Sequence, residues 1–142
     1  MYQVHLRAEF DIAEARALKI FCKKIRISIL EEIVSNEEAH EIFLIAPKIK
    51  TELQNNIPPI DIIRDFELLS NDDDDWNTIP LDIYISSDQA AALSKYLRKA
   101  QLEHYEKIFD KKSTAKNMNA ASWTLKAALD FIGKNIDHPL EY

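Results

Sequence analysis

The residues of this chain predict an α+β fold: a small, mainly antiparallel sheet packed against helices, with two helices at the C-terminal end. Three observations predict it. Residues Tyr2–Phe10 and Ile79–Ile85 alternate apolar and polar side chains. From Ser86 onward the apolar residues recur at helical spacing with no glycine or proline for more than twenty residues. The whole chain holds one glycine, Gly133. Scarce glycine removes the tight two-residue hairpins that favour Asn-Gly or Asp-Gly, and it shifts the balance toward helix.

At the start, Tyr2, Val4, Leu6, Ala8 and Phe10 point one way, and Gln3, His5, Arg7 and Glu9 the other. That period of two is the signature of a strand with one buried face, and it places His5 on the polar side. Asp11 with Glu14 reads as a capping box that opens a helix from Ile12 to about Lys24. Leu18, Phe21, Cys22 and Ile25 form its apolar stripe, so Cys22 is expected to be a buried, inert thiol.

Residues 25–46 admit two readings. Ile25, Ile27 and Ile29 alternate and are β-branched, which favours a strand to about Val34, although Ile29, Leu30, Ile33 and Val34 also fit a helix. Ser35 to Glu38 is then either a polar hairpin loop or a second capping box. The run Ile42-Phe43-Leu44-Ile45-Ala46, stopped by Pro47, fits a strand buried on both faces. A short helix is expected to follow, from Pro47 to about Asn55.

Asn55 to Pro59 is a break, residues 60–69 a short helix, and residues 71–78 a loop. Leu81, Ile83 and Ile85 share one face of the second strand, with Pro80 suited to an edge or first position. Ser86 and Gln89 make a capping box for one long helix to about Asp110, striped by Leu93, Leu97, Ala100, His104 and Ile108. His104 on that stripe reads as a core or boundary histidine. A loop at Lys111–Thr114 precedes the last helix, Asn119 to Ile136, which packs through Ala121, Leu125, Ala128, Leu129, Ile132 and Ile136. Trp123, Lys126 and Asp130 point elsewhere.

A length of 142 residues suits one domain over residues 1–142. No apolar run approaches the roughly 20 residues of a membrane helix. The N-terminus lacks a basic region followed by an apolar core, and Cys22 is the one cysteine, which together favour a cytoplasmic location without membrane contact. A glycine-rich phosphate loop is absent. The four histidines are isolated, with no His-Glu-x-x-His or Cys-x-x-Cys, so no metal or cofactor is expected. Nor does any serine lie in a Gly-x-Ser-x-Gly elbow. The expectation is a protein that is not an enzyme.

Charge is the informative feature. Residues 61–82 hold eight acids and one base, a charge of −7, while the rest of the chain holds 16 acids and 17 bases. Within that segment Asp72, Asp73, Asp74 and Asp75 run directly into Trp76, with Asp65 and Glu67 upstream. Counted as a calcium loop from Asp72, position six is Asn77 and position twelve Ile83, so the pattern fails. A solvated loop is one reading of the run. A docking surface is the other: clustered acids steer a cationic protein and hydrogen-bond its Arg and Lys, while a neighbouring tryptophan anchors. Direct nucleic-acid binding is disfavoured because the acids repel phosphates.

Small size, scarce glycine, an acidic segment and no catalytic motif make the profile similar to that of bacterial immunity proteins. That resemblance implies a protein partner, a basic toxin domain such as a nuclease, neutralised by occlusion of its active site. Asp65, Glu67 and Asp72–Asp75 would then stand in for phosphates, with Trp76 as the anchor. The alternative is a structural or adaptor subunit that forms a homodimer or larger assembly through its long C-terminal helices, using Tyr96, Tyr105 and Phe109 off the main stripe.

Overall fold

The computed structural model describes residues 3–57 and 78–135. It is α+β: two antiparallel strands, β1 (Gln3–Phe10) and β2 (Ile79–Ser86), accompany a set of helices. In order these are α1 (Ile12–Lys24), α2 (Ile27–Leu30), α3 (Asn36–Asn56), α4 (Ser87–Lys99), α5 (Leu102–Ile108) and α6 (Lys112–Asn135).

The strands pair from Gln3 opposite Ser86 to Phe10 opposite Ile79. Their alternation sorts the faces as predicted. Val4, Leu6, Phe10, Ile79, Leu81, Ile83 and Ile85 are buried, while Gln3, Arg7, Glu9, Pro80, Asp82 and Tyr84 are exposed on the outer face. The inner face lies on helices, β1 against α6 and β2 against α3. Helix α1 packs between α3 and α6, and α4 packs on the same two. The buried residues of both strands and all six helices form one continuous core.

Helix α3 also guards the sheet. The Lys48 amine donates to the Tyr84 carbonyl, and the Asn56 amide donates to the Pro80 carbonyl at 2.9 Å. Eight helical residues rise about 12 Å, and four strand residues about 13 Å. Two side chains of α3 thus match alternate carbonyls of β2 when the elements run antiparallel. Proline has no N–H, so it fits β2 only where its nitrogen faces away from β1. The carbonyls of residues 80, 82 and 84 face the same way, toward α3.

Side-chain caps set three of the helix starts. Asp11 with Glu14, Ser35 with Glu38 and Ser86 with Gln89 each form a reciprocal box. Each satisfies two backbone N–H groups that the first turn leaves without partners.

Residues 25–46 correct the expectation of strands. Residues Ile27–Leu30 are a single helical turn closed by the bond from the Glu31 N–H to the Ile27 carbonyl at 2.9 Å. Residues 42–46 lie inside the 21-residue α3, whose buried positions are Ala39, Ile42, Ile45, Ala46, Ile49 and Leu53. The apolar run divides between core and solvent at a period near 3.6: Phe43 is 44% exposed and Leu44 64%. The capping-box alternative for Ser35 is the one that forms. Pro47 sits within the helix, on its exposed side. The backbone bond it cannot donate would go to the Phe43 carbonyl, also on the exposed side, where water can serve it.

The single long helix expected from Ser86 to Asp110 is two helices. Ala100 (φ −69°, ψ 132°) and Gln101 (φ −115°, ψ 171°) are extended and break it. Tyr96 and Tyr105 explain why. Nine residues apart, they would lie roughly 180° apart around a straight helix. Both are fully buried, with ring centroids 5.9 and 6.1 Å from Phe21. The break turns both onto the same side. Finally, α6 begins at Lys112 rather than Asn119, so the expected Lys111–Thr114 loop is mostly the first turn of a helix.

Candidate interaction surfaces

The predicted site residues Asp65, Glu67, Asp72, Asp73, Asp74, Asp75 and Trp76 lie outside the described residues. Their anchorage does not. The described ends on either side of that segment, near Ile57 and Thr78, are held close together by the Asn56–Pro80 hydrogen bond. Residues 58–77 carry seven acids and one base, while residues 3–57 and 78–135 carry 15 acids and 17 bases. Apart from two further acids near the C-terminus, the negative excess belongs to residues 58–77.

The outer face of the sheet gathers polar groups from both strands. His5 Nε2 is hydrogen-bonded to Asp82 Oδ1, and the His5 ring stacks on Tyr84 with centroids 4.4 Å apart. Arg7 lies 3.7 Å from the same carboxylate. His5 faces Tyr84 and Arg7 faces Asp82 in the register, and the His5–Asp82 bond runs diagonally between these pairs; such exposed pairs contribute at most about 1 kcal/mol each. His5 is half-buried on the polar face, as its position in the alternation predicts.

A second polar group is enclosed. The Tyr96 hydroxyl lies 2.6 Å from His104 Nε2, and His104 Nδ1 lies 3.7 Å from Glu32, which also meets Lys107 at 3.6 Å. Burial lowers the His104 pKa below its ordinary value; Glu32 opposes this and Lys107 reinforces it. Burial raises the Tyr96 hydroxyl strongly, with Tyr105 and Glu32 adding to the effect. The carboxylate–imidazole–phenol order resembles a proton relay, but Tyr96 is 0% exposed, so its hydroxyl has no outlet to a bound molecule. This is the core histidine predicted from the apolar stripe. Cys22 behaves similarly: it is partly buried, and burial pushes its thiol up to about 12 despite Lys50 nearby.

A third surface was not foreseen as a site. Where α4 breaks from α5, a groove of about 320 Å³ opens against α6. Leu97, Ala100 and Leu102 give it apolar lining, and Trp123 and Lys126 come from α6. Trp123 is 63% exposed, and the Lys126 amine sits 4.5 Å from its ring centroid in a cation–π contact. Arg98, also lining the groove, is held by Asp130 at 3.1 Å. The sequence signalled only that Trp123 and Lys126 leave the packing stripe. Nothing local announced the break that makes the facing wall.

Tyr96, Tyr105 and Phe109, the residues suggested for helix-mediated assembly, are buried in the core and offer no surface. Among the described residues, no three His, Cys, Asp or Glu side chains gather as a metal site, and no helix is long and apolar enough to cross a membrane. No family model, no curated protein and no solved structure matches the chain.

Proposed function

We propose that this chain is a non-enzymatic protein-binding module of immunity type, which neutralises a basic toxin domain such as a nuclease by laying its acidic segment in the partner's cationic cleft. The observation that carries the reading is charge segregation: seven acids and one base between residues 58 and 77, on a body with 15 acids and 17 bases. A field so concentrated accelerates encounter with a cationic protein and supplies charge-assisted hydrogen bonds to Arg and Lys. The seven acids fall within residues 61–75, so they are near neighbours along the chain. Trp76, beside the aspartates, supplies the apolar anchor that charge alone lacks.

The test uses the quadruple variant Asp72→Asn, Asp73→Asn, Asp74→Asn, Asp75→Asn and a basic toxin domain encoded beside this chain's gene. Association of the variant should slow by tenfold or more at low salt, lose most of its salt dependence, and leave thermal unfolding unchanged. Equal association rates for variant and parent would reject the proposal.

A second reading, an adaptor that assembles through its C-terminal helices, draws on the exposed Trp123 of α6 rather than on the buried tyrosines. It requires a concentration-dependent oligomer in sedimentation that persists at high salt and disappears with Trp123→Ala.

A further inference from the structure

The groove between the α4–α5 break and α6 is lined by residues 97–102 and 119–126, none of which belongs to the acidic segment, and its charge is of the opposite sign. Among the described residues, two cationic side chains, Arg98 and Lys126, line it, and no carboxylate does. Arg98 is already paired with Asp130, which lies outside the lining. Lys126 has no carboxylate within ion-pair distance among the described residues; the Trp123 ring positions its amine instead. The groove thus sets the Trp123 ring and the apolar Leu97, Ala100 and Leu102 beside the polar Gln101, Asn119 and Ser122 and an ammonium that has no ion pair among the described residues. Its volume is at the low end for ligand sites, and its open shape suits one or two side chains of a passing segment. Tryptophan and arginine are also the residues most enriched at protein-binding hot spots.

We propose that this groove docks an acidic segment of a partner protein, with a large apolar side chain against Leu97, Leu102 and Trp123 and a carboxylate on Lys126. Charge complementarity selects the occupant. A basic segment would bring its cations against Lys126 and Arg98. Single-stranded nucleic acid could stack on the tryptophan, but its continuous phosphate backbone asks for a row of cations, where the groove offers Lys126 beside an Arg98 already paired with Asp130.

Fluorescence anisotropy tests this with a fluorescein-labelled peptide of glutamates and leucines, beside a lysine–leucine peptide of equal length and a single-stranded oligothymidylate. The protein is the full chain, as parent and in the Asp72–Asp75 to Asn background, so failure here is distinct from failure of the acidic segment. The glutamate peptide should bind in both backgrounds. Trp123→Ala should weaken it by at least about tenfold and Lys126→Gln by roughly threefold to tenfold. Both side chains are on the surface, so circular dichroism should show an unchanged fold. Equal binding of the lysine peptide, preferential binding of the oligonucleotide, or indifference to both substitutions would overturn the proposal. So would self-association of the parent abolished by the aspartate changes, which would make a second copy the occupant.

Discussion

The Tyr96 hydroxyl meets Nε2 of His104 at 2.6 Å across the break between α4 and α5, inside the core. The bond ties together two helices that local sequence would have run into one. Because burial lowers the His104 pKa, the unfolded chain takes up a proton below pH 6.5 more readily than the folded chain does. Stability from this group is therefore full above about pH 6.5. It falls as pH drops toward the lower folded value, by at most about 1.4 kcal/mol per pH unit. Urea unfolding at stepped pH should show the decline begin near 6.5. Tyr96→Phe, which strips the imidazole of its buried partner, should cost about 1–3 kcal/mol at neutral pH. A flat stability profile from pH 7.5 to 5.5 would contradict the account.

Ser35 accepts from the Glu38 N–H at 3.2 Å and receives the Glu38 carboxylate on its own N–H at 3.0 Å. Ser35→Ala should therefore destabilise the protein by about 1 kcal/mol. A serine in a hairpin loop would lose almost nothing, so chemical denaturation separates the two structures for this region.

Pro47 occupies the interior of α3 on its exposed side. Pro47→Ala restores one backbone donor and relieves the clash of the ring with the preceding turn. Part of that gain is cancelled because proline also restricts the unfolded chain. The expected net effect is a stabilisation of about 1–2 kcal/mol, read as a raised melting temperature. A lowered melting temperature would mean that the proline bend is needed to fit α3 to the sheet.

With its thiol pushed up to about 12, Cys22 holds little thiolate at pH 8. An aromatic disulfide reagent should react with the native protein roughly a thousandfold more slowly than with the urea-unfolded chain. Equal rates would show that the helix face carrying Cys22 opens readily.

The legible parts of this fold are those decided within a few residues. Both strands announced themselves by alternation. The Asp11 and Ser86 caps announced themselves by an acid or amide three residues on. Residues 25–46 were not legible, because a run such as Ile42–Ala46 satisfies a two-faced strand and a helix alike. The choice falls to tertiary packing: α3 lies against α1, α4 and β2, and Ile42, Ile45 and Ile49 are buried there. The break at Ala100–Gln101 is less legible still. No glycine or proline marks it, and its cause is the joint packing of Tyr96 and Tyr105 on Phe21. The charge segregation was visible in the sequence. The groove was not, since residues 97–102 and 119–126 face one another only once the break exists.

The side chains that α3 sends to β2 bear on how this protein behaves in a crowd of its own kind. A bare strand edge is a template on which further chains can polymerise. Here Lys48 occupies the Tyr84 carbonyl, Asn56 occupies the Pro80 carbonyl, and Pro80 has no N–H to offer. These two occupied carbonyls and the missing N–H make the outer edge of β2 a poor template for a further strand.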